Sequence, residues 1–130
     1  MFSHIFNSVT DFERAFDFYS RVFLPLGWTL RFCEPQVPWA GWQIAGQDRP
    51  LFLIGHPFDA QAHAPGHGQM VAFSADSRTQ VDTIHAEAIR RGAVCEGPPG
   101  LRAHYHPHYY GAYFRDLDGN KLCVVCHRPQ

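Results

Sequence analysis

The stretch Asp11-Phe12-Glu13-Arg14-Ala15-Phe16-Asp17-Phe18-Tyr19, continuing to Phe23, Pro25 and Gly27, decides the fold because its pattern returns later in the chain. Asp11 can cap a helix, since its carboxylate accepts from first-turn amides that have no partner inside the helix. Phe12, Ala15, Phe16, Tyr19 and Phe23 then fall at i, i+3, i+4, i+7 and i+11, which is one apolar helical face. Pro25 and Gly27 are stop signals. Sixty-five positions on, half the length of the 130-residue chain, Asp76 or Ser77 offers the same cap. Val81, Ile84, His85 and Ala88 share a face, and Gly92 follows Asp76 by the same 16 positions that separate Gly27 from Asp11. An internal duplication explains both segments economically.

Strand-like pieces flank each helix. In the first half they are Ser3 to Val9, Trp28 to Cys33, Trp39 to Ala45 and Leu51 to Ile54. In the second they are Met70 to Ala75, Val94 to Glu96, Tyr109 to Phe114 and Lys121 to Cys126, the last two joined by the turn Asp116-Leu117-Asp118-Gly119. Each half therefore reads β-α-β-β-β, and such a half leaves an apolar sheet face to be covered. The predicted fold is α+β: two βαβββ modules whose curled mixed sheets surround one cleft in a single domain, 1–130. The modules are 1–56 and 68–127, joined by a linker at 57–67 rich in Pro, Gly, Ala and His. Gly97 to Pro107 reads as a long loop ending in His104-Tyr105-His106-Pro107-His108-Tyr109-Tyr110, and long loops in small domains usually carry function.

Composition narrows the function. With 45% hydrophobic and 18% charged residues, the chain is neither a disordered tail nor a coiled coil. A net charge of −1 gives no electrostatic case for nucleic acid. No apolar run approaches the roughly 20 residues of a membrane helix, so no membrane partner is expected. MFSHIF shows no secretory pattern, which points to a cytoplasmic protein with Cys33, Cys95, Cys123 and Cys126 as free thiols. Aromatics at 15% and nine His suit a pocket for a small organic ligand. Cys123-Val124-Val125-Cys126-His127 matches the c-type haem pattern, but it lies on a predicted strand. Two residues three apart on a strand face opposite sides, so the motif is set aside.

Three segments carry a resemblance to a known family. They are His4 with Asp11-Phe12-Glu13-Arg14-Ala15 and Phe18-Tyr19, then Met70-Val71-Ala72-Phe73 before Asp76, then Tyr113-Phe114-Arg115-Asp116-Leu117-Asp118-Gly119-Asn120-Lys121. Together they make the chain resemble the vicinal oxygen chelate superfamily, which includes glyoxalase I, bleomycin-resistance proteins and extradiol dioxygenases. The resemblance implies a homodimer. It also implies, in metal-dependent members, one metal ligand from each of four strands. His4 matches the first of these positions. The second falls on the apolar strand Leu51 to Ile54, the third on Met70 and the fourth on Cys123, so no metal or other cofactor is expected. A softer divalent-metal site with His4 and Cys123 as ligands would need a third donor such as His104, His106 or His67.

The candidate catalytic residues are His4, His104, His106 and Tyr109, and the candidate substrate-binding residues are Trp39, Met70, Tyr105, Tyr110, Tyr113 and Cys123. Trp39 and Trp42 lie three apart on a strand and should face opposite ways, one of them flooring a pocket. Three functions follow. The first is a glyoxalase-like protein that binds a small organic molecule in the cleft between its modules and transforms it as a lyase or isomerase. The second is a non-catalytic binder of the bleomycin-resistance type. The third is a metal-dependent enzyme with an unusual His/Cys set.

Overall fold

Asp11 sits in extended backbone (φ −102°, ψ 100°), and its carboxylate accepts from the Arg14 N–H, so helix α1 starts at the cap and spans Phe12–Leu26. Pro25 lies inside the last turn and does not end the helix. Gly27 ends it, in the left-handed region at φ 83°, with its N–H returning to the Leu24 carbonyl. The buried face is wider than the sequence stripe, because Phe18, Val22 and Leu26 join Phe12, Ala15, Tyr19 and Phe23.

The computed structural model describes residues 1 to 130 and divides into two units, Met1–Ala64 and Pro65–Gln130. The first unit contains β1 (His4–Ser8), α1, β2 (Trp28–Glu34), β3 (Trp39–Ile44) and β4 (Leu51–Gly55). Its sheet runs in the order β1-β4-β3-β2, with β1 parallel to β4 and the other pairs antiparallel. Strand alternation sorts the side chains. Trp42 and Phe52 turn to α1 and pack with Tyr19 and Phe23 at centroid distances of 5.1–6.1 Å. Each such aromatic pair is worth about 0.5–1.5 kcal/mol beyond the area it buries. The residues between them face the other way: His4 opposite Leu51, Phe6 opposite Leu53, and Ser8 opposite Gly55, with Trp39 also opposite Gly55.

The second unit repeats the plan. It contains β5 (Val71–Ser74), α2 (Arg78–Arg90), β6 (Val94–Leu101), β7 (Tyr110–Arg115) and β8 (Lys121–Cys126), in the sheet order β5-β8-β7-β6 with β5 parallel to β8. Ser77 is the α2 cap, accepting from the Gln80 N–H. Val81, Ile84 and Ala88 are buried on α2, and Ala112, Phe114, Leu122 and Val124 are buried on the sheet.

The expected loop from Gly97 is shorter than the sequence suggests. β6 continues through Gly97-Pro98-Pro99-Gly100 to Leu101, with register breaks between Cys95 and Gly97 and between Gly97 and Gly100. Those irregularities accommodate prolines that cannot donate to the ladder. The loop proper is 102–109. The β7–β8 turn is built on Asp116, whose carboxylate accepts from the Asp118 and Asn120 N–H groups and from the Asn120 side-chain amide. Gly119 closes the turn at φ 83°. No helix is long and apolar enough to cross a membrane.

Candidate functional site

The face of the first sheet turned away from α1 floors a cavity of about 880 Å³. Its floor is His4 and Phe6 from β1, Leu53 and Gly55 from β4, and Trp39 from β3. The chain leaving β4 folds back as its wall, with His56, Phe58, Ala62 and His63. Trp39 is held in place: its indole N–H donates to the Glu34 carboxylate at 2.6 Å, and its ring meets the edge of Phe32 at 4.7 Å. A Cβ at Gly55 would come within 3.1–3.3 Å of the Pro38 carbonyl, the Trp39 Cβ and the Phe6 ring, so glycine lets these groups close together. His63 Nδ1 lies 2.5 Å from the Ser8 hydroxyl, tying the wall to β1. His4 Nδ1 is 3.0 Å from the Ser3 hydroxyl. The wall was not legible in the sequence, where His56 and His63 read as loop or tail residues. Their only signal is that they lie in the segment leaving β4.

In the second unit, Tyr109 and Tyr113 meet hydroxyl to hydroxyl at 2.8 Å, and the Tyr109 hydroxyl lies 3.7 Å from Cys123 Sγ. Tyr113 and Cys123 are cross-strand partners, so the register of β7 on β8 builds the cluster. Burial pushes the Tyr109 phenol far above its ordinary range, with smaller contributions from Tyr113 and Cys123. Burial also raises the Cys123 thiol. Both groups therefore stay protonated at neutral pH and act as hydrogen-bond donors, neither as base nor as thiolate nucleophile. Tyr105 packs on Tyr109 at 4.8 Å, and the exposed His104 packs on Tyr105 at 4.2 Å.

His106 stacks on His127, with Nε2 2.9 Å from Nδ1. His106 Nδ1 accepts from the His108 backbone N–H. A neutral His106 then carries its proton on Nε2 and donates to His127. Tyr110 lies on the opposite face from Tyr109 and Tyr113, and its hydroxyl donates to Asp82 of α2 at 2.6 Å. Met70 is exposed just before β5. Of the expected site residues, His4 and Trp39 share the first unit's cavity. Tyr105, Tyr109, Tyr113 and Cys123 form one cluster in the second unit, with His104 and His106 beside it.

The donor set does not fit the superfamily's divalent metal. The strand beside His4 offers Leu51 and Leu53, β5 is preceded by Met70, and the fourth position is the buried Cys123. A hard divalent ion takes oxygen and nitrogen ligands, and a softer one takes the thiolate. No three His, Cys, Asp or Glu side chains are grouped as metal ligands.

Comparison with known proteins agrees with this architecture. A family model for the Glyoxalase/Bleomycin resistance protein/Dioxygenase superfamily matches residues 2–124. No curated protein sequence matches the chain. Among solved structures, it is similar to a glyoxalase/bleomycin resistance protein from Albidiferax ferrireducens, with 34% identity over 99% of each chain and a TM-score of 0.84. It shares its fold with the fosfomycin resistance protein FosX from Listeria monocytogenes, at 18% identity, 98% and 93% coverage and a TM-score of 0.69. The same holds for TioX from Micromonospora sp., at 18% identity, 98% and 99% coverage and a TM-score of 0.68. With its repeated βαβββ units and a family match over nearly its whole length, the chain belongs to the glyoxalase/bleomycin resistance protein/dioxygenase superfamily.

Proposed function

We propose that this chain binds a small organic molecule with a planar or aromatic part in the cavity of its first unit. One observation carries the reading: a cavity of about 880 Å³ whose floor is apolar and aromatic, with imidazoles at its edge. Ligand pockets have this size and makeup, and a few polar groups on apolar walls fix orientation. Trp39 offers a ring for stacking, while Phe6 and Leu53 exclude water. His4, His56 and His63 supply donors and acceptors. Members of the superfamily bind small molecules, and the resistance proteins among its relatives make a binder a natural reading.

A second reading is transformation of the ligand by lyase or isomerase chemistry. It is favoured by the meeting of His4 and His63 at one cavity, because imidazole can both give and take a proton. Both readings take a metal-free site, no nucleic acid or membrane partner, and a cytoplasmic homodimer as part of the proposal, the last on the strength of the resemblance.

The test is thermal unfolding against a panel of planar aromatic compounds, comparing the wild type with Ala62→Trp, which places an indole in the cavity. A ligand at 100 times its dissociation constant adds about 2.7 kcal/mol. The expected result is stabilisation of the wild type that the variant loses. Equal stabilisation of both proteins overturns the reading. Catalysis adds one requirement: His4→Ala should abolish turnover of a compound that it still binds.

A further inference from the structure

We infer that the ligand of the first unit's cavity carries no formal charge: the site takes a planar aromatic with neutral hydrogen-bonding groups on its edge, such as an amide, a ketone or a phenol, and discriminates against carboxylates and ammoniums. The inference rests on the reading of that cavity as the binding site and adds the class of molecule it accepts.

The lining contains no aspartate, glutamate, lysine or arginine. Its polar side chains are the imidazoles of His4, His56 and His63, the Thr10 hydroxyl and the Gln61 amide. Charged groups on neighbouring stretches of chain lie outside the lining and are engaged elsewhere. The Glu34 carboxylate accepts from the Trp39 indole N–H at 2.6 Å. The Asp59 carboxylate accepts from the Gln61 backbone N–H at 3.0 Å. On the same sheet, Arg31 donates to the Gln43 side chain at 2.9 Å and to the Asp48 carbonyl at 3.3 Å. An entering ion therefore meets no counter-charge among the lining side chains.

The apolar surface suits a ring. The Trp39 N–H is taken by Glu34, so the indole offers the cavity its π-surface and not a donor. Gly41 is the cross-strand partner of Leu53, and a Cβ there would come within 2.5 Å of Leu53 Cδ2 and 2.6 Å of the Phe32 ring. The missing side chain thus lets Leu53 lie across β3, beside Trp39.

A charge placed on such walls gives up hydration and gains no partner, which is the costly case. A neutral amide or phenol gives up less and can be matched, because an uncharged imidazole offers one donor and one acceptor, and a hydroxyl or a carboxamide offers both. A cavity wet enough to keep an ion hydrated would show no preference between charged and neutral ligands, so the preference itself is the observable.

The test follows the backbone amide resonances of Phe6 and Leu53 in the full chain at about pH 8, above the range in which imidazoles ordinarily gain a proton. Naphthamide, naphthoate and naphthylmethylammonium are added in turn, three probes with one ring system and three charges. The expected result is saturable shifts with naphthamide at an affinity at least about tenfold tighter than either ion, equivalent to about 1.4 kcal/mol, which is the low end of the cost of an unpaired polar group taken out of water. Gln61→Arg, at an exposed position of the wall, supplies the missing cation. It should strengthen naphthoate at least about fivefold and leave naphthamide within about twofold. The inference is overturned, with the proposed function intact, if either ion binds the wild type within about threefold of naphthamide or if Gln61→Arg leaves naphthoate unchanged. If none of the three probes shifts Phe6 or Leu53, the inference and the proposed function fall together.

Discussion

Replacing Asp116 by alanine removes the one acceptor around which the β7–β8 turn is built. The side chain is 4% exposed and accepts three hydrogen bonds, each 2.9 Å long, from the Asp118 N–H, the Asn120 N–H and the Asn120 side-chain amide. Asn120 is itself buried, so two of its donors lose their acceptor where water reaches poorly. Each buried unsatisfied donor costs about 1–3 kcal/mol, which gives a loss of about 3 kcal/mol for Asp116→Ala. The half-buried Asp118 amide can turn to water and adds little. For a protein of this size, such a loss lowers the melting temperature by about 10 °C. Asp116→Asn keeps an acceptor for the two backbone N–H groups but turns an amide donor toward Asn120, so about half the loss is expected. Urea unfolding followed by circular dichroism measures the difference, with Asp48→Ala, at an exposed site, as a control expected within about 0.5 kcal/mol of wild type. An Asp116→Ala protein as stable as that control would refute the reasoning.

Further outcomes follow from local geometry. Burial holds the His85 imidazole below its ordinary range, against a smaller opposing pull from Asp82. The unfolded chain therefore takes up that proton more readily, and stability falls as pH drops from about 7 through the ordinary imidazole range near 6.5. His85→Gln should flatten this part of the melting-temperature profile between about pH 7 and 5, and an unchanged profile would count against the assignment. Gly27 has φ 83° and open space around its missing side chain, so Gly27→Ala should cost about 1 kcal/mol from backbone strain alone in the same urea assay. A neutral or stabilising change would show that this helix end adjusts. Cys95 is the exposed thiol and Cys123 and Cys126 are buried, so limited alkylation read by peptide mass should label Cys95 first. Early labelling of Cys123 would contradict its burial under Tyr109.

The repeated βαβββ plan was legible because its signals are local. Asp11 and Ser77 cap in place, Gly27 ends α1, and strand alternation separates Trp39, on the cavity floor, from Trp42, packed on α1. The errors have equally local causes. Pro25 was read as a stop although its φ suits a last turn. Gly97-Pro98-Pro99-Gly100 was read as loop although an irregular edge of a sheet accepts the same residues. The site was only half legible. Strand parity set Trp39 and Trp42 on opposite faces without saying which one floors a pocket, and His4 was singled out through the family resemblance. His56 and His63 could not be placed, because a loop folding back over a sheet leaves no periodicity to read.

A crystallographic fragment screen tests the central claim most directly, since it reports where small planar molecules settle on the whole chain. The account predicts aromatic fragments in the first unit's cavity, stacked on Trp39 and touching Phe6 and Leu53, and absent there in Ala62→Trp. Fragments that bind the protein yet leave that cavity empty would contradict it.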